Sequence, residues 1–141
     1  MEPLDSSQRI IPYLAYRDAP AALAFLCEAF GFEERFRMAM DDGRIGHAEI
    51  ACHNNVVMLA SAWYGAGAAS PLELTGVHSQ LYCMVDDVDA HFKRALAAGA
   101  TVIGQPSDQP YGLRTYRALD PEGHRWIFAS PLRGAEAKES D

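Results

Sequence analysis

The sequence predicts an α+β fold of two tandem βαβββ modules, forming a curved mixed sheet with a concave ligand cavity and helices on the convex face. Three observations lead there. Short runs alternate apolar and polar residues with the period of a strand. Two helical stretches each open on an aspartate and close on a glycine. The order of elements then repeats at an offset of roughly 69 residues, by matching elements rather than identities.

The first strand is expected over residues 10–16. Asp18 caps a helix over 21–30, with Pro20 in its first turn, where proline is tolerated, and Gly31 ends it. Residues 33–40 alternate as a strand. Asp41-Asp42-Gly43 follows as a hairpin turn, its Asp-Gly pair suited to positive φ angles. Strands are expected again over 47–52 and 56–60, with His53-Asn54-Asn55 between them. Residues 62–77 are rich in Gly and Ala, carry Trp63 and Tyr64, and read as a flexible linker.

The second module repeats the plan: a strand over 80–85, Asp87 capping a helix over 88–98, Gly99, and a short strand over 101–104. A Pro- and Gly-containing loop is expected over 105–112, then strands over 113–119 and 124–129 around the turn Asp120-Pro121-Glu122-Gly123. The domain organisation expected is one domain, 1–141, with modules at 9–61 and 78–131. The offset aligns Asp18 with Asp87, Tyr13 with Tyr82 and Gly31 with Gly99.

Composition narrows the function classes. With 141 residues the chain can build one core. Hydrophobic residues at 49% and charged ones at 22% exclude a disordered segment. No apolar run reaches the roughly 20 residues of a membrane span. The first residues lack a basic stretch followed by an apolar one, so a cytoplasmic location is expected. The formal charge is −7, with 19 acidic and 12 basic side chains. A nucleic-acid binder gathers the opposite sign into a patch, so nucleic acid is excluded as a partner. An acidic surface attracts cationic ligands; it also simply maintains solubility. Cys27, Cys52 and Cys83 are odd in number and form no CxxC pair, which suits core thiols in a reducing compartment.

Several segments together resemble the glyoxalase/bleomycin-resistance/extradiol-dioxygenase proteins, the vicinal oxygen chelate superfamily. They are Ile-Pro-Tyr-Leu at 11–14, Gly-His-Ala-Glu-Ile at 46–50, Val-Asp-Asp-Val-Asp-Ala at 85–90, Tyr-Gly-Leu-Arg at 111–114 and Asp-Pro-Glu-Gly-His-Arg-Trp at 120–126. The resemblance covers about residues 9 to 131. It specifies fold better than function, because this fold hosts isomerases, dioxygenases, thiol transferases and drug-binding proteins.

The resemblance implies a divalent metal in members that do chemistry, held by His, Glu or Gln from the first and fourth strands of each module. The corresponding positions here are Ile11, the apolar segment 56–59, Gln80 and Ile127. One donor in four is too few. No metal and no other cofactor is therefore expected. The departure matches the antibiotic-sequestering branch, a metal-free small-molecule binder. The alternative is a metal-dependent lyase, isomerase or dioxygenase.

His47 and Glu49 lie two apart on a strand and share a face, with Ala48 and Ile50 on the other. They are the candidate catalytic pair, Glu49 orienting the imidazole or acting as base; a solvated cross-strand pair is the competing reading. Tyr13, Gln80, Tyr82 and Met84 are candidate ligand-binding residues on the concave face, or else core. Tyr111 and Arg114 are placed beside them, Arg114 to hold an anionic group or to neutralise Glu49, with a solvated arginine as the competing reading. Trp63 is a candidate to close over the ligand or to pack at a subunit interface. Trp126 reads as core. The expected partners are a small-molecule ligand and, from the open sheet edges, a second copy in a homodimer, with no membrane.

Overall fold

A computed structural model describes residues 7–132. It divides into two compact units between Gly76 and Val77. Each is a four-stranded mixed sheet with one helix. The first unit runs β1 (Tyr13–Tyr16), α1 (Ala19–Phe30), β2 (Glu33–Ala39), β3 (Ile45–Cys52) and β4 (Asn55–Ser61), in the order β1-β4-β3-β2. The second runs β5 (Leu81–Met84), α2 (Val88–Ala97), β6 (Thr101–Asp108), β7 (Leu113–Leu119) and β8 (Arg125–Pro131), in the order β5-β8-β7-β6. The outer pairs β1–β4 and β5–β8 are parallel and the rest antiparallel. No described helix is long and apolar enough to cross a membrane.

Local chemistry starts each helix. Asp18 accepts from the Ala21 backbone N–H at 3.1 Å and Asp87 from Ala90 at 3.1 Å, each satisfying an orphan donor. After α2, Gly99 at φ +91 donates to Leu96 and Ala100 to Ala95, the paired bonds of a Schellman ending. α1 buries Ala19, Ala22, Leu23, Leu26 and Phe30, an i, i+3, i+4, i+7 stripe, against its sheet. Ala48, Ile50 and Leu59 meet it fully buried, each large aliphatic contributing about 2 kcal/mol by leaving water. The three cysteines are half-buried and unbridged.

Four local expectations change. β1 begins only at Tyr13, because Pro12 has no N–H to offer the ladder; its carbonyl still accepts from Met58 at 2.9 Å. The turn at 41–43 places only Gly43 in the left-handed region, at φ +87. With Met40 N–H bonded to Arg44 O and Gly43 N–H to Met40 O, it is a three-residue loop rather than a two-residue one. The loop expected at 105–112 is strand as far as Asp108. Register shifts on either side of Gly104 absorb Pro106, which an edge strand tolerates. The linker holds two short 3₁₀ turns, Tyr64–Ala66 and Pro71–Glu73.

In the second unit the helix side of the sheet is an aromatic stack. Trp126 and Phe128 lie nearly parallel with centroids 6.0 Å apart, and Tyr116 and His91 pack on Phe128. His91 Nδ1 and the Tyr116 hydroxyl are 2.6 Å apart. Asp120 anchors the edge of this stack. Its buried carboxylate accepts from the backbone N–H groups of Glu122 and His124 and from Trp126 Nε1, each at 3.1 Å.

Two predictions follow from this core. Asp120→Ala removes the acceptor from a buried indole N–H and from the turn, so stability falls by about 2–4 kcal/mol. The check is a lower urea midpoint at unchanged slope. Burial raises the Tyr116 hydroxyl above its ordinary 10.0, with Cys83 adding to the effect. An unfolded tyrosine ionises near that value while Tyr116 stays protonated, so the folded state holds the extra proton and stability drops as pH rises past 10. Urea midpoints across the alkaline range should fall less steeply in Tyr116→Phe.

Candidate functional site

In the first unit the face turned away from α1 carries the polar constellation. Register puts Tyr13 opposite Met58, Met58 opposite Glu49, and Glu49 opposite Phe36, so these four share one row. His47 stands one step along the same face, opposite Met38. The Tyr13 hydroxyl is 2.7 Å from His47 Nδ1, and His47 Nε2 is 2.9 Å from Glu49 Oε2. Glu49 is only 3% exposed. Its second oxygen accepts no hydrogen bond but lies 3.4 Å from Arg35 Nε, an ion-pair distance.

Arg35 reaches that side because of a bulge. Glu34 pairs with Ile50 and Phe36 with Glu49, leaving Arg35 as the extra residue. The chain of groups is thus Arg35, Glu49, His47, Tyr13, with Glu49 the most buried and Tyr13 the most exposed. An ionised Glu49 only accepts, so the neutral imidazole carries its proton on Nε2 and accepts on Nδ1 from the Tyr13 hydroxyl. Phe36 and Tyr13 pack on the imidazole with centroids 6.0 and 5.5 Å away. Burial first, and the negative Glu49 second, raise the Tyr13 hydroxyl above its ordinary value. The arrangement presents to a ligand a phenol oxygen with lone pairs facing outward, positioned by an imidazole and a carboxylate.

In the second unit the face turned away from α2 carries Tyr82 and Met84, opposite Ile127 and Ala129. The Tyr82 hydroxyl is pushed up to about 12, by burial first and then by the neighbouring Tyr111 hydroxyl, while Arg117 acts the other way. Gln80 is exposed and lies one residue before β5, outside the ladder. Arg114 lies on the helix side of the same sheet. Its Nε donates to both Asp89 oxygens at 3.1 and 3.2 Å, and its Nη1 donates to Asp108 at 2.8 Å. It lines a cleft of about 510 Å³ with Asp86, Asp87, Asp89 and Asp108.

Trp63 belongs to a third location. It bridges to Ala68 beyond the end of β4, and the Arg44 guanidinium lies 4.9 Å over its ring while donating to Ala62 O at 2.6 Å. A cleft of about 410 Å³ opens beside it, lined also by Arg17 and Tyr64. The structure therefore joins Tyr13, His47 and Glu49 in one network and Tyr82 with Tyr111 in another. It places Met84 beside Tyr82, Gln80 past the strand end, Arg114 in a helix-side ion pair and Trp63 in its own cleft. Arg35, Phe36 and Arg117 were not anticipated. Simple alternation in β2 puts Arg35 opposite in sense to Phe36, and only the bulge brings them together.

The donors do not suit a divalent metal. On the strands where such a site would be built, the faces turned away from the helices pair Tyr13 with Met58 and Tyr82 with Ile127, phenols, a thioether and an alkyl group, and the neighbouring Met84 and Arg125 add no carboxylate or imidazole. Among the described residues no three His, Cys, Asp or Glu side chains gather to hold an ion. Glu49 and His47 are two donors, and Glu49 is already engaged by Arg35 and His47. A prediction tests the electrostatics of this network. Glu49→Gln removes a negative charge beside Tyr13, so the Tyr13 titration moves down toward, but not to, the ordinary value, because burial remains. NMR of ¹³C-labelled tyrosine, assigned with Tyr13→Phe, reads this directly.

Comparison with known proteins places the chain. The sequence profile of the Glyoxalase/Bleomycin resistance protein/Dioxygenase superfamily matches residues 9–128. An uncharacterised protein of Mycobacterium bovis is 36% identical over 131 residues, 91% of this chain and 86% of the relative. Among solved structures, TioX from Micromonospora sp. ML1 superposes with a TM-score of 0.70 at 35% identity, covering 89% of this chain and 99% of that one. A glyoxalase/bleomycin resistance protein/dioxygenase family enzyme from Burkholderia phytofirmans PsJN gives a TM-score of 0.63 at 25% identity, covering 85% and 95%. With its repeated βαβββ units and a profile match across nearly the whole described length, the chain belongs to the glyoxalase/bleomycin resistance/dioxygenase superfamily.

Proposed function

We propose that this protein binds a small organic molecule with a planar, aromatic part, an antibiotic being one such class, and does so without a metal. The observation that carries the reading is that each unit, taken by itself, exposes aromatic and thioether side chains on the sheet face turned away from its helix, and the second unit also exposes Tyr111 in the turn before β7. Tyr13 and Met38 in the first unit are 54% and 50% exposed, and Tyr82, Met84 and Tyr111 in the second are 46%, 46% and 62% exposed. Aromatic and thioether walls with a few polar groups are what a small-molecule site is made of. The unsuitable donor set supports a binder over the metal-dependent chemistry found elsewhere in the superfamily.

The test is isothermal titration of chelator-treated protein with bleomycin and a panel of planar antibiotics. We expect saturable binding to at least one compound, weakened about tenfold by Tyr82→Ala, the usual weight of a buried aromatic contact. Silence across the panel, or binding that returns only with an added divalent ion, would sink the proposal.

The Tyr13–His47–Glu49 network favours a second reading, a metal-free acid–base catalyst in which Tyr13 and His47 move a proton on the bound ligand. Mass spectrometry of the ligand recovered after incubation separates the two. A binder returns it unchanged. A catalyst converts it, and His47→Ala abolishes the conversion while keeping the binding heat.

A further inference from the structure

The face of the second sheet turned away from α2 carries two arginines. Arg117 pairs with Ile127, and Ile127 pairs in turn with Tyr82, so the three side chains rise from one row. Arg125 pairs with Leu119, one ladder step further along the same face. The β7–β8 register runs from Leu113 to Leu119 without a shift, so this parity holds along its length.

Neither guanidinium has an acidic partner among the described residues. Arg44 also lacks an acid but is held by the Ala62 carbonyl and the Trp63 ring. Arg17 pairs with Glu73, Arg35 with Glu49, Arg37 with Glu34, and Arg114 with Asp89 and Asp108. In a chain of net charge −7, acids outnumber bases, yet none of the positions that register puts on this face is Asp or Glu. The nearby acids Asp86, Asp87, Asp89 and Asp108 gather instead in the cleft around Arg114. Charge is thus segregated across the sheet, acidic beside α2 and basic on the far face.

Arg117 is exposed, and its neighbour on β6 is Gly104, which adds no side chain to cover it. A Cβ at Gly104 would already touch the arginine stem at 3.6 Å. The Arg117 charge acts on the Tyr82 phenol, on which the Tyr111 hydroxyl also acts, so the cation is within electrostatic reach of Tyr82. Two like charges a ladder step apart repel, and an oxyanion bound to both relieves that repulsion.

We propose that Arg117, seconded by Arg125, holds the oxyanion of an aromatic ligand, a carboxylate, sulfonate or phosphate, whose ring lies on Tyr82 and Tyr111. The guanidinium fork meets two oxygens of such a group at once, and the phenols supply the apolar contact. This deepens the binding function proposed above and rests on it.

A matched pair of fluorescent probes tests it on the full chain with chelator present: anilinonaphthalene sulfonate, and N-phenylnaphthylamine, which has the same rings without the sulfonate. We expect the sulfonate probe to bind about tenfold more tightly, the weight of one charge-assisted hydrogen bond. Arg117→Gln should erase most of that preference and leave the neutral probe unchanged. Arg125→Gln should do the same to a lesser degree, and serves in its place if the first variant does not fold. Lys93→Gln, which removes an equal charge from the exposed side of α2, should change neither probe. If both probes bind equally, or Arg117→Gln weakens both alike, the arginine proposal is wrong and the aromatic-binding function stands. If neither probe binds, that function falls and the arginine proposal falls with it.

Discussion

A four-stranded sheet with one helix has two faces and only one helical cover. Everything distinctive about this protein depends on that constraint. Side chains along a strand alternate with period two, so a single register assigns each residue either to the helix side or to the other. Ala48, Ile50 and Leu59 go one way and are sealed from water; Glu49, His47 and Met58, their immediate neighbours, go the other. In the second unit Tyr116, Trp126 and Phe128 join the aromatic core while Arg117 and Tyr82 are turned away from α2. A slip by one residue would exchange core for site in either unit. The structure resists a slip by making the core side costly to expose, with a fully buried indole and phenyl on alternate positions of β8 and Asp120 tying the indole to the turn.

The two units use the same scaffold for opposite chemistry. Tyr13 and Tyr82 hold equivalent places at the start of a first strand, each opposite an apolar residue of the fourth. The third strand then supplies Glu49 in one row and Arg117 in the other. Glu49 is buried and answered from two sides, by His47 and by Arg35. A buried carboxylate left without partners bears the full cost of its lost hydration, and those two partners offset it. Arg117 needs no such help, because it is exposed to water. The two units share one geometry and differ in the charge of the face.

Much of this was legible in the sequence. Aspartate caps, alternation and the repeated order of elements placed both helices and all eight strands, with errors only at the ends. The pairing of His47 with Glu49 followed from a spacing of two, and Tyr13 followed from its strand position. What could not be read was everything that depends on departure from regularity. The bulge at Arg35 reverses a side chain's face without leaving a glycine or proline to announce it. β6 continues through Pro106, where proline ordinarily argues against a strand, because at an edge a missing N–H costs the ladder nothing. Arg114 was judged by its neighbours in sequence, whereas its partners Asp89 and Asp108 lie on a helix and on another strand.

Net charge was the least informative of the sequence signals, and the reason is distance. A total of −7 governs the long-range field, which salt screens within about 10 Å. A bound molecule responds instead to the few groups it touches. On the second sheet those groups are phenols and guanidinium ions with no carboxylate on the same face, so the ligand proposed for that face is an anion although the net charge of the whole protein is negative. The two effects act at different stages. The global field slows the approach of an anionic ligand, and the local contacts govern how long it stays, so the charge of the whole chain affects the on-rate while the residues of one sheet face determine affinity.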